Sequence, residues 1–181
     1  MKKPLIFVIS GKAQAGKDTT GDIIKEHLES KGLKIAKIAY AKYIKGYAID
    51  YFGWDGKEEN KPRDLFQMLG TEIRTTFNKP NFFVDRMKED IEILSNFFDG
   101  FVLSDARLVN EIEMPKKNFE NVYAIRIIRD IDNGLNVEQK KNLTETGLDN
   151  FSDYDYVIYN DGTIEELKKK VINIVDSIME E

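Results

Sequence analysis

The residues Gly11-Lys12-Ala13-Gln14-Ala15-Gly16-Lys17 fit the pattern G-x-x-x-x-G-K, a spacing suited to cradling phosphate groups. Glycines let consecutive backbone N–H groups turn inward around an anion, and a helix that follows presents the positive end of its dipole. A lysine closing the loop reaches the outer phosphates of a nucleoside triphosphate, so Lys17 is the candidate for meeting the charge that develops during phosphoryl transfer. The Ser or Thr that commonly follows this lysine is replaced by Asp18, with Thr19 and Thr20 after it. A carboxylate at that position holds Mg²⁺ directly or through water, or simply starts a helix; the sequence leaves both roles open. Gly11, Ala13, Gln14, Ala15, Gly16, Lys17, Asp18 and Thr19 thus make up the expected ATP site. A second acid, Asp105, closes Phe101-Val102-Leu103-Ser104, where an acidic residue at a strand end orients Mg²⁺ and its waters.

The loop needs a strand before it and a helix after it. Leu5 to Ile9 is a continuous β-branched and aromatic run, as in a strand buried on both faces, and Asp18 to Ser30 carries Ile23, Ile24, His27 and Leu28 at helical spacing before Gly32. Lys34 to Tyr40 predicts a second strand, Ala41 to Phe52 a helix, and Gly53-Trp54-Asp55-Gly56 a turn. Pro62 suits the first turn of a helix running through Leu65, Phe66, Met68, Leu69, Ile73 and Phe77, with Gly70 inside its pattern. A helix over Phe83 to Phe98 then leads to the short strand Phe101-Val102-Leu103. Val122 to Ile128 and Tyr156 to Tyr159 read as the last two strands, and Thr163 caps a final amphipathic helix. Between those strands, residues 130–155 form a polar connection longer than ordinary ones, which reads as a lid or a disordered loop. One α/β domain over residues 1–181 is expected, a P-loop NTPase with two excursions at about 41–98 and 130–155.

Composition narrows the chemistry. The 181 residues contain no cysteine and one histidine, His27, which excludes disulfides, thiolate metal sites, a cysteine nucleophile and a histidine-rich metal cluster. A net charge of −5 argues against nucleic acid as a partner, because that backbone asks for a basic face. No run approaches the roughly twenty apolar residues of a membrane span, and Leu5 to Ile9 is too short for a signal-peptide core, so a cytoplasmic location without membrane attachment is expected. A base-reading element of the Asn-Lys-x-Asp kind is not offered by Asn78-Lys79-Pro80-Asn81, which argues against a GTPase switch. The tyrosines Tyr40, Tyr43 and Tyr47, together with Trp54, are read as packing residues.

Four segments together resemble deoxynucleoside monophosphate kinases of the phage type: Gly16-Lys17-Asp18-Thr19, the Gln67-x-x-Gly70-Thr71-Glu72 stretch within Leu65 to Glu72, Ser104-Asp105-Ala106-Arg107 to Asn110-Glu111, and Tyr159-Asn160-Asp161-Gly162-Thr163. The resemblance spans most of the chain. It implies a nucleoside monophosphate kinase-like five-stranded parallel sheet sandwiched by helices, with a monophosphate-binding (NMP-binding) excursion after the second strand and a mobile lid before the last. It also implies that Arg63 or Arg74 meets the acceptor phosphate, that Gln67, Asp105, Arg107 and Glu111 line the monophosphate pocket, and that Asp161, Gly162 and Thr163 lie near the adenine of ATP. Such kinases usually carry a basic residue inside the loop where this chain has Ala13-Gln14, and Lys12 is the substitute at hand.

Arg126 and Arg129, entering the lid, are three residues apart and would point to opposite faces of a strand, so one of them is expected at the phosphates and Arg129 is the catalytic candidate. Pairing with Asp130 and Asp132, or snorkelling at a sheet edge, is the alternative for both. The expected reaction is transfer from ATP, with Mg²⁺, to a deoxynucleoside monophosphate. A kinase of another phosphorylated metabolite, such as phosphomevalonate, and a nucleotide-binding regulatory module are the rivals. The base, the sugar preference and whether the chain forms a homodimer stay open.

Overall fold

In a computed structural model describing residues 3–130 and 143–180, the strands alternate with helices along the chain. The order is β1 (Leu5–Ser10), α1 (Lys17–Ser30), β2 (Ile35–Ile38), α2 (Lys42–Phe52), a 3₁₀ turn (Glu58–Asn60), α3 (Arg63–Arg74), α4 (Phe82–Leu94), β3 (Gly100–Ala106), α5 (Val109–Asn118), β4 (Asn121–Ile128), α6 (Leu143–Thr146), β5 (Tyr156–Tyr159) and α7 (Ile164–Glu180). The five strands pair in parallel in the order β2-β3-β1-β4-β5. Central β1 is therefore covered on both sides, and its carboxyl end, where open parallel sheets bind ligands, carries the glycine loop.

Alternation along the strands divides the core into two layers. Phe7, Ile9, Val102, Ile125 and Ile127 pack with Ile23, Ile24 and Leu28 of α1 and Leu167, Val171, Val175 and Ile178 of α7. Ile6, Val8, Phe101, Leu103 and Ala124 face the other way, onto Phe83, Val84, Met87 and Ile91 of α4 and Ile112 of α5. His27 on α1 ties to α7 through Asp176, at 2.7 Å. Among the described residues, no helix is long and apolar enough to cross a membrane.

The expected elements form, with ends moved by up to four residues. Helix α3 stops at Arg74 instead of running to Phe77, and α4 stops at Leu94 instead of Phe98. Gly70 inside α3 permits a close approach: a Cβ there would lie 3.4 Å from Ile44 of α2 and 3.1 Å from the Arg74 guanidinium. Trp54 is buried, edge-on to Phe66 at 5.2 Å, with its indole N–H donating to Lys57 O, so it is a packing residue here.

Helix α5 has no counterpart in the pattern read from sequence, because Pro115 lies inside it. Proline has no N–H for the carbonyl of Glu111, four residues back, and that carbonyl accepts instead from the Tyr40 hydroxyl at 2.6 Å. A tertiary bond thus replaces the helical one. In the 130–155 segment, residues 131–142 lie outside the described residues, while Leu148, Phe151 and Tyr154 join the second core layer. That end is packed down onto the second layer.

Candidate functional site

The loop after β1 takes a shape that two residues with left-handed backbone make possible, Gly16 at φ 102° and Gln14 at φ 61°. Gly16 also has no room for a side chain, since a Cβ would sit 2.6 Å from the Asn160 amide, which donates to Ala15 O at 2.9 Å. Gly11 is confined in the same way by Ile127 O, 2.7 Å from a notional Cβ. The loop is thereby clamped between the ends of β4 and β5.

Lys17 begins α1, is 8% exposed, and reaches back across the loop to donate to Lys12 O at 2.9 Å. Burial and the neighbouring Arg107 charge lower its pKa to about 8, against the opposing pull of Glu145, Asp18 and Asp105. Asp18 accepts from Ser104 Oγ at 2.8 Å and faces Lys37 Nζ at 3.4 Å, while its side chain remains 82% exposed. Desolvation works against its charge, but the Ser104 hydrogen bond and Lys37 outweigh it, and its pKa is lowered.

Asp105 lies in β3, and its two carboxylate oxygens accept from Tyr40 N at 3.0 Å and Ala41 N at 2.9 Å. It therefore ties β3 to the start of α2 as well as standing near Asp18. Desolvation raises its pKa and the Asp18 charge adds to this, while the two backbone bonds oppose it. Among the described residues, no group of three or more His, Cys, Asp or Glu side chains is placed to hold a metal.

Beside the loop the structure brings together Lys12, Arg107, Arg126 and Glu145 around a small hollow also lined by Gly11, Ala106 and Leu148. The Glu145 carboxylate accepts from Ala13 N at 3.2 Å and pairs with the Arg107 guanidinium. Lys12 Nζ donates to Glu145 O at 2.9 Å and pairs with Asp149 at 2.5 Å. Arg126 stands over the Tyr154 ring at 5.7 Å, on the same face of β4 as Ala124. Arg129, the candidate from sequence, is exposed beyond the end of β4, and the structure brings Arg126 to the hollow in its place.

Glu111, expected to line the pocket, is 4% exposed and stands behind Arg107. Its Oε2 accepts from Arg107 N at 2.7 Å and Leu108 N at 3.0 Å, and its Oε1 lies 3.8 Å from Arg74. Burial raises its pKa to about 7, with Asp105 adding and the two backbone bonds and Arg74 opposing. Arg74 donates to Gly70 O at 3.0 Å and lies over the Phe83 ring at 4.8 Å, and burial lowers its pKa. Arg63 and Gln67 occupy the exposed face of α3 and are not drawn into this cluster. Asp161 is exposed and pairs with Lys170 at 2.9 Å, while Thr163 caps α7 through Glu166 N at 3.2 Å, as expected. Past Gly162 and Thr163, a groove of about 350 Å³ runs between α1 and α7, lined by Thr19, Ile23, Ile164 and Lys168 among others.

Three features escaped the sequence reading. Glu145 and Asp149 lie in a polar stretch without a motif, although Leu148, Phe151 and Tyr154 at threefold spacing were a sign that the stretch is anchored. Tyr40 was set aside as packing and proves to support Asp105 and Glu111.

Solved structures with the same overall fold include shikimate kinase from Aquifex aeolicus VF5, with a TM-score of 0.52 at 12% identity over 96% of this chain and 97% of that one. A sugar kinase from Janibacter sp. HTCC2649 gives 0.50 at 12% identity, covering 96% and 95%. At such identities these likenesses bear on fold alone. In sequence, the chain is 30% identical over 114 residues to the deoxynucleotide monophosphate kinase of Escherichia phage RB69; the match takes in 62% of this chain and 44% of that protein, less than half its length. The model of one family, deoxynucleotide monophosphate kinase, matches residues 37–171, which take in α2 to α4, Arg107, Arg126, Glu145 and the first part of α7. With the loop at Lys17 and the arginine cluster facing it, that match over most of the chain means that it belongs to the deoxynucleotide monophosphate kinase family.

Proposed function

We propose that this chain transfers the γ-phosphoryl group of ATP to a deoxynucleoside 5′-monophosphate, giving ADP and the deoxynucleoside diphosphate, in the cytoplasm, or in the host cytoplasm if a phage encodes it. One observation carries the reading: the loop amide of Ala13 and the Arg107 guanidinium converge on a single carboxylate, a position fit for a phosphate group beside Lys17. Membership of the family supports both the donor and the acceptor class.

In this reading the loop from Gly11 to Thr19 holds the triphosphate of ATP, and the groove beside Thr19 and Thr163 takes its base. Lys12, Arg107 and Arg126 meet the acceptor phosphate, with Arg74 behind them. Residues 41–98 serve as the monophosphate-binding excursion and 130–155 as the lid. Lys17 and Arg107 carry the transition-state charge, which spreads over the equatorial oxygens and asks for fixed cations, not a covalent nucleophile.

The residues fit Mg²⁺ of the kind that keeps most of its waters, because Asp18 stands largely in solvent beside the loop and Asp105 is near it, and together they are too few for an all-protein cage. Bound there, the ion would neutralise the β- and γ-phosphates. Asp18 would hold it and Asp105 would orient its water.

A coupled assay of ADP release tests the reading, run with each of the four deoxynucleoside monophosphates, their ribose counterparts, phosphomevalonate and no acceptor. Release that depends on a deoxynucleoside monophosphate is expected. Release with phosphomevalonate alone, or slow release indifferent to any acceptor, would replace the reading with one of its rivals.

A further inference from the structure

Glu145 is an anion inside an anion site. Its side chain is 9% exposed, and its carboxylate takes a backbone N–H of the phosphate-binding loop and the Arg107 guanidinium together. A negative charge is also felt at Lys17, where Glu145 is the largest of the influences that keep the ammonium protonated. The backbone that carries it is held in place. Lys12 Nζ bonds to Glu145 O and to Asp149, and Leu148 is 5% exposed in the core. Gly147 is packed so closely that a Cβ would meet Arg107 O at 2.9 Å and Leu108 at 3.0 Å. With the backbone pinned, the Glu145 side chain is the part free to leave.

We infer that Glu145 is a specificity-determining residue which holds the acceptor-phosphate groups as an internal phosphate mimic and yields them only to a more highly charged phosphate. A carboxylate brings one negative charge and two oxygens, and a phosphate dianion brings two charges and three oxygens on the phosphorus. The dianion therefore outcompetes Glu145 for Ala13 N–H and Arg107, whereas water or an uncharged hydroxyl does not. Discrimination follows from competition: an acceptor without its phosphate leaves Arg107 engaged by Glu145, and ATP alone finds the acceptor side occupied. This inference rests on the acceptor-phosphate reading of the Lys12, Arg107 and Arg126 hollow.

The test compares wild type with Glu145→Ala and Glu145→Gln, the second keeping shape and one acceptor oxygen without the charge. Inorganic phosphate is titrated into each protein, free of nucleotide, by calorimetry, with thermal melting as the check on folding. Loss of the internal competitor should tighten phosphate binding about tenfold in Glu145→Ala, the scale of one charge-assisted hydrogen bond, with Glu145→Gln between the two. The KM for the monophosphate should fall with it, and ADP release without acceptor should rise. Phosphate affinity that is unchanged or weaker in a folded Glu145→Gln would overturn the inference. Because phosphate binding needs no turnover, tightening in a protein that phosphorylates no monophosphate would keep the inference and discard the proposed reaction.

Discussion

The loop from Gly11 to Lys17 and the cluster around Arg107 lie against one another but are built in different ways. Seven consecutive residues make the first, between a strand and a helix, and its shape follows from Gln14 and Gly16 in left-handed backbone. The second draws on Arg107 after β3, Arg126 on β4, Arg74 on α3 and Glu145 on α6, and no two of them are closer than 19 residues in sequence. A local device survives change elsewhere as long as its flanking elements form. A device assembled from distant parts depends on the supports behind it, here the buried Glu111 and Tyr40 and the half-buried Asp105, which are tied to one another or to neighbouring backbone.

That contrast is broken most strongly at Lys17. Lys17→Ala should cut turnover by about a hundredfold or more in a folded protein, the usual scale for loss of an electrostatic contact in the transition state. Near-normal turnover would remove the loop from the chemistry. The same residue sets a pH dependence. Its pKa is about 8, so the ammonium is lost as pH rises through that value, and ATP should bind more weakly above it. The triphosphate favours the charged lysine, so binding near pH 8 should take up protons, measurable by calorimetry in buffers of different ionisation enthalpy.

Arg107→Ala comes next, with a rise of about tenfold or more in KM for the monophosphate and little change in that for ATP. Arg126→Ala should act in the same direction, and Arg129→Ala should do nearly nothing, since Arg129 is exposed past the strand. Steady-state kinetics on the three variants separates the two sides of the site. An equal loss toward both substrates would mean that the sides are not distinct.

Glu111 sharpens the comparison from the support side. Its carboxyl is ionised above about 4.5 in the unfolded chain but only above about 7 in the folded protein, so the folded state binds the extra proton in between. Stability from this group is therefore greatest below about 4.5 and falls as pH rises through about 7. Urea unfolding across that window should show a downward slope that Glu111→Gln reduces. Identical slopes would mean that the group is not buried as a support.

The smallest effect is expected at Asp18. Asp18→Asn should keep the Ser104 hydrogen bond and the helix start but weaken handling of the metal, so that activity falls at low Mg²⁺ and is partly restored as Mg²⁺ is raised. A Mg²⁺ midpoint equal to that of the wild type would leave Asp18 as a helix-start residue.

The sequence by itself determined the parts in which neighbours along the chain are neighbours in space. The two-sided burial of β1, the G-x-x-x-x-G-K turn, the stripe of α7 and its Thr163 cap all follow from spacing within one element or one turn. Tertiary structure decided everything that needs a partner from elsewhere. It brought Arg126 and not Arg129 to the hollow, because the alternation of β4 sets the first on the Ala124 face, over the Tyr154 ring, and the strand ends before the second, which is exposed. It made a helix around Pro115 by supplying the Tyr40 hydroxyl to a carbonyl that proline leaves without its helical donor. It turned Glu111 from a pocket lining into the anchor of Arg107, and it laid Glu145 into the phosphate-binding loop 132 residues away. Side-chain charge and periodicity are properties of the chain, whereas which charges meet depends on how strands and helices stack, and that is settled only when the core closes.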